Sequence, residues 1–201
     1  MALTKISNNS LSAISSLPAS IPTGALTLIS TQTASSSASI SFTSGIDSTY
    51  DSYVFKFINI HPATDGVNFE FQGSIDGGSN YNVTMTTTYF NANHNEGDTI
   101  TNLSYSPAQD QAQGTGFQNL VLSIGNDADQ EASGELQIFN PSSTTFVKQF
   151  ISRVNEYTSD NQNADRFIAG YFNTTSAIDA IKFQMSSGNI DDGIIKLYGV
   201  S

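Results

Sequence analysis

The chain has 201 residues and a net charge of −11 at pH 7, from 18 acidic and 7 basic side chains, with no cysteine and no tryptophan. That charge has the wrong sign for phosphate backbones and anionic membrane surfaces, so neither nucleic acid nor a membrane is an expected partner. The lack of cysteine removes disulfides, thiol nucleophiles and thiolate metal sites, leaving a hydrophobic core to hold the fold. Serine, threonine and asparagine number 29, 20 and 18, a third of the chain, against 12% charged residues, a surface suited to strands and turns rather than helices.

Residues 1–24 stand apart from the rest. Leu3, Ile6, Leu11, Ile14, Leu17 and Ile21 recur at three- to four-residue intervals in a Ser/Asn background interrupted by Pro18 and Pro22. Serine and asparagine are mediocre helix formers and no flanking charges support a helix, so two readings stand: an extended N-terminal arm that orders against a neighbour, or a frayed terminus with incidental apolar residues. Polar residues interrupt the apolar ones too often for a secretion signal, and no run of 18 apolar residues exists to span a bilayer.

From residue 26 the period becomes two. "ASISFT" (38–43) puts Ile40 and Phe42 on one face, and "YVFKFINI" (53–60) has Tyr53, Phe55 and Phe57 on one side with Val54, Ile58 and Ile60 on the other, the pattern of a central strand covered on both faces. "VNFEFQGSI" (67–75) groups Val67, Phe69, Phe71 and Ile75. Further strands are expected over 26–30, 82–90, 119–124, 134–139, 146–154, 166–172, 178–185 and 194–200, separated by turn signals such as Asp65-Gly66 and Asp192-Gly193. Such a series predicts an all-β chain: an antiparallel β-sandwich of jelly-roll type over 25–201, behind the arm of 1–24. The last two strands are expected to form a hairpin whose inner face carries Ile181, Phe183 and Met185 beside Ile195 and Leu197, so that the chain ends with its last core strand. Two polar stretches, 91–116 and 156–165, are expected to be long loops, where contacts with other molecules are commonly placed.

Reactive constellations are not recognisable. His61 and His94 sit in no metal-ligand spacing, there is no Gly-x-Ser-x-Gly, and the Gly-rich "DGGSN" (76–80) lies between two strands as a hairpin turn would. Glu70, Glu135 and Asp179 alternate with apolar positions and are expected to face outward rather than into a glycosidase cleft. Asp127, Asp129 and Glu131 have alternate spacing but lack the calcium-loop pattern, and they read as a solvated turn, as do Asp47 and Asp51. No catalytic residue, no cofactor and no metal ligand is expected. For sugar recognition the candidates are Tyr105 and Tyr157, loop tyrosines with Asn91, Gln109 and Asp160 near in sequence.

The run "IDSTYDSYVFKFINIHPATDGVNFEFQGSIDGGSNY" (46–81), the ending "IDAIKFQMSSGNIDDGIIKLYGV" (178–200) and the opening "MALTKI" resemble tailed-bacteriophage structural proteins, especially those of marine phages. The resemblance spans roughly 38–200 and its motifs are those of a fold, not of a reaction. It implies a non-enzymatic virion surface protein, a capsid decoration or short fibre subunit assembled in the host cytoplasm. Its partners would be other capsid or tail proteins and further copies of itself, with a trimer favoured. The arm would anchor each copy through Leu3, Ile6, Leu11, Ile14 and Leu17. The alternative is a receptor- or glycan-binding module of a tail fibre, contacting host surface sugar through the 91–116 loop.

Overall fold

The computed structural model describes residues 26–201, and Leu3, Ile6, Leu11, Ile14 and Leu17 lie outside the described residues. Thirteen strands form in the described part: β1 (Thr27–Ser37), β2 (Ile40–Phe42), β3 (Ser52–Pro62), β4 (Val67–Ser74), β5 (Met85–Asn95), β6 (Thr101–Tyr105) and β7 (Ala112–Gly114), then β8 (Gln118–Ile124), β9 (Ala132–Phe139), β10 (Lys148–Tyr157), β11 (Gln162–Phe172), β12 (Ala180–Met185) and β13 (Ile190–Val200). They build two antiparallel sheets. The large one runs β1-β13-β3-β9-β10-β11-β5-β6, with β7 also on β5, and the small one runs β2-β12-β4-β8.

From β2 to β12 the chain passes repeatedly from one sheet to the other, and the small sheet brings β2 beside β12 and β4 beside β8. That is the path of a jelly roll in which one strand of the facing sheet is expanded into the meander β9-β10-β11. Apolar side chains alternate along the strands because successive residues point to opposite faces, and the inner set meets between the sheets. Phe183 of β12 is the hub of that layer: the rings of Phe55 and Phe57 lie 5.2 Å from it, Phe69 5.8 Å, Phe42 6.3 Å and Phe71 6.4 Å.

Five expectations need correction, the first being that 76–80 closes a hairpin: this stretch crosses from β4 in the small sheet to β5 in the large one. The strands β12 and β13 are not a hairpin: β12 pairs with β2 and β4, whereas β13 pairs with β1 and β3. Ile181 and Phe183 therefore face Ile195 and Leu197 across the core rather than beside them, and all four are buried. The short connection from Met185 to Ile190 crosses from one sheet to the other.

The strand β3 is central in the large sheet, but its second face is not covered by another layer. Ile58 is exposed there, and Ile60 joins the core because the register shifts between Phe57 and Ile60, with Asn59 at φ 52°. Opposite this bulge Gly193 has φ 130°, and a Cβ on it would lie 2.8 Å from the Asn59 carbonyl oxygen, so only glycine fits. Ile75, expected inside, is exposed because β4 ends at Ser74.

The two predicted loops are largely strand. Residues 91–105 extend β5 and return as β6, and 156–165 is the end of the β10-β11 hairpin, turning over only Thr158–Asn161. The strand β6 is exposed along its whole length, with no core face to impose an apolar alternation, which is why its sequence reads as loop.

Candidate functional site

Residues in cross-strand register share a face of a sheet, so the outer face of the large sheet can be followed row by row. One row runs Lys196, Lys56, Glu135, Arg153, Phe167, Phe90 and Tyr105, across β13, β3, β9, β10, β11, β5 and β6. Its first half is ionic: Lys56 Nζ lies 2.9 Å from Glu135, and Arg153 donates Nε at 3.1 Å and Nη2 at 2.6 Å to Asp165. Its second half is aromatic. The Phe90 and Phe167 rings stack at 4.7 Å and 3°, and the Arg153 guanidinium lies over the other face of Phe167 at 5.0 Å.

The next row places Gln137, Ile151, Ala169 and Thr88 beside these rings. Phe90, Ile151, Phe167, Ala169 and Arg153 line an open trough of about 280 Å³, continuous with a polar hollow between Lys56, Glu135 and Asp165. Ile151 is 50% exposed and Leu103, in register with Ala92, is 73% exposed. These side chains form an exposed apolar stretch rimmed by charge on the outer face of the large sheet. Sequence reading missed it, although consecutive apolar pairs carried the signal: Tyr89-Phe90, Phe150-Ile151 and Phe167-Ile168 each supply one residue to the core and one to this face.

The opposite face of the same strands holds a buried polar clasp. Glu156 of β10 is fully buried, and Arg166 of β11 donates Nε to its Oε1 at 2.7 Å. The pair reaches the small sheet at β8, where the Leu122 N–H donates to Glu156 Oε1 at 3.3 Å and the Leu122 carbonyl accepts from Arg166 Nη2 at 3.3 Å. Burial drives the Glu156 pKa up to about 7 against the opposing pull of Arg166. The buried Tyr89 hydroxyl has no hydrogen-bond partner, and burial raises its pKa as well. Both charges were readable from parity, since Glu156 continues the inward series Phe150, Ser152, Val154 and Arg166 continues Ile168 and Phe172.

The two tyrosines singled out for sugar do not converge. Tyr105 is exposed on β6 at the aromatic end of the row and its hydroxyl donates to Asp110, which raises its pKa. Tyr157 lies four residues from Arg153 along β10 and three strands from β6, about 19 Å away at ordinary strand spacings; its hydroxyl donates to Glu96 at 3.3 Å. His61 Nδ1 donates to the Gln130 carbonyl at 2.7 Å, and His94 sits 3.1 Å from Asp98 in the β5-β6 turn. Asp47 is engaged by the Tyr53 hydroxyl and the Thr49 N–H. Asp129 and Glu131 share an open hollow with His61, Asp191 and Asp192, yet among the described residues no group of three or more His, Asp or Glu side chains is arranged to hold a metal. No helix among the described residues is long and apolar enough to cross a membrane.

No family, curated protein or solved structure matches this chain. The exposed face of the large sheet is therefore described by its own chemistry: stacked aromatics and aliphatics beside the Lys56–Glu135 and Arg153–Asp165 ion pairs.

Proposed function

We propose that this chain is a non-enzymatic structural protein of the bacteriophage virion surface, a capsid decoration or short fibre subunit, held to the particle through residues 1–24. The observation that supports it best is the aromatic trough on the outer face of the large sheet. A protein working alone in water gains nothing by exposing Ile151 and Leu103 beside Phe90, whereas a member of an assembly uses such a face against its neighbours. The net charge of −11 suits a position outside the particle, away from packaged nucleic acid. The buried Glu156 is engaged with Arg166, and His61 with a backbone carbonyl, in contacts within the fold. The test is incorporation. Particles assembled with a chain lacking residues 1–24 should carry none of it while the shortened chain stays soluble; undiminished incorporation contradicts the anchoring role.

A second reading, a receptor- or glycan-binding module, draws on the exposure of Tyr105 in register with Phe90, two strands from Asp165 and three from Arg153 on the same face. Binding to a glycan array that disappears in Tyr105→Ala would favour it over the structural reading.

A further inference from the structure

We infer that two copies of this chain associate through β1, edge to edge about a two-fold axis, making one continuous antiparallel sheet of their two large sheets. The strand β1 borders the large sheet, and its far side has no strand paired to it among the described residues. An edge strand offers a row of unpaired N–H and C=O groups, and folded proteins normally guard it with lysine, proline, shortness, bulges or a covering segment. Thr27–Ser37 has eleven residues, about 36 Å of strand, and contains no charge and no proline; a register shift falls near its start, between Leu28 and Ser30, and Ser36 near its end has φ 51°. Only Ser35 N–H finds a local acceptor, Ser37 Oγ at 3.2 Å.

The other borders are guarded more heavily than β1. On the small sheet β2 has three residues, and β8 has two register shifts against β4 and is tied down by side chains: Leu122 by Glu156 and Arg166, and Ser123 N–H by Asn68 at 3.2 Å. At the far border of the large sheet, β6 and β7 have only five and three residues.

A second copy of β1 is the occupant that fits this edge. Antiparallel pairing about Gln32, the midpoint of the strand, matches the regular stretch 30–34 of one copy with that of the other, inside the register shift at Leu28/Ser30 and the φ of 51° at Ser36, and consumes both edges in a closed dimer rather than an open fibre. Leu28, 52% exposed on the outer face, is brought to the seam. Residues 16–22 of the same chain are a poorer match, because Pro18 and Pro22 supply no N–H to a ladder.

The register makes the test specific. Thr31 and Thr33 are exposed, and pairing about Gln32 sets Thr31 of one copy opposite Thr33 of the other. Light scattering on the full chain should give twice the chain mass of 21.5 kDa. Thr31→Glu with Thr33→Glu should give the single-chain mass with an unchanged circular dichroism spectrum, because like charges then face each other. Thr31→Glu with Thr33→Lys should restore the doubled mass. A wild-type chain of single mass at every concentration, a tripled mass, an oligomer that survives Thr31→Glu with Thr33→Glu, or no recovery with the Glu/Lys pair overturns the pairing. None of these results depends on particle incorporation, so a failure here leaves the particle-surface reading standing to be tested separately.

Discussion

The middle of the sandwich and its β5-β8-β10-β11 flank solve the same problem in opposite ways. In the middle, rings from both sheets crowd around Phe183 and the layer is apolar throughout. At the flank, the same inward positions hold Thr87, Asn91, Gln118, Glu156 and Arg166, all buried, and the sheets are linked by hydrogen bonds to β8 as well as by packing. Apolar packing is non-directional and tolerates adjustment, while a buried ion pair is stable only with its partners in place. The middle therefore carries the stability, and the flank fixes how the edge strand of the small sheet sits on the large one.

Substitutions should separate the two regions. Phe183→Ala removes a ring with five aromatic neighbours and should cost about 3–5 kcal/mol of unfolding free energy in a denaturant titration. At the flank, Arg166→Met leaves the Glu156 carboxylate buried without its counter-charge and should cost about 3 kcal/mol, while Arg166→Met combined with Glu156→Leu should recover much of that loss. Failure of the double variant to recover would mean that the pair is needed for packing geometry rather than for charge balance.

The pH dependence sharpens the contrast. The Glu156 pKa rises in the fold from 4.5 to about 7, so the folded chain binds this proton more tightly than the unfolded chain does. The wild type should then lose stability relative to Glu156→Gln as pH rises from about 4.5 through 7, and the difference should level off above that. A difference that grows in favour of the wild type over this range would show that Arg166 stabilises the carboxylate by more than burial penalises it. The smallest effect is expected outside the core: Lys56→Met removes a half-exposed ion pair with Glu135 and should change stability by less than about 1 kcal/mol.

What the sequence reveals follows the same division. Where one face is apolar and the other polar, as in Val67 to Phe71, the period of two shows both the strand and its inner side. A two-sheet all-β fold follows from a series of such segments. Pairing between distant strands does not follow, because an inward Phe183 has the same pattern whether Leu197 lies beside it or across the core. Apolar residues on both faces hide the trough, since Ile151 next to Phe150 reads as a buried strand rather than as an exposed contact. Shortness and full exposure hide β6, whose Leu103 and Tyr105 face outward with no core beneath them. The tyrosines chosen for their loops turn out to be strand residues, because hairpin strands beyond the edge of the core need no apolar face.

Labelling intact particles with an antibody raised against residues 26–201 tests the central reading most directly. Exterior label on unopened particles is the expected result. Label that appears only on opened particles, or only on unassembled protein, would contradict it.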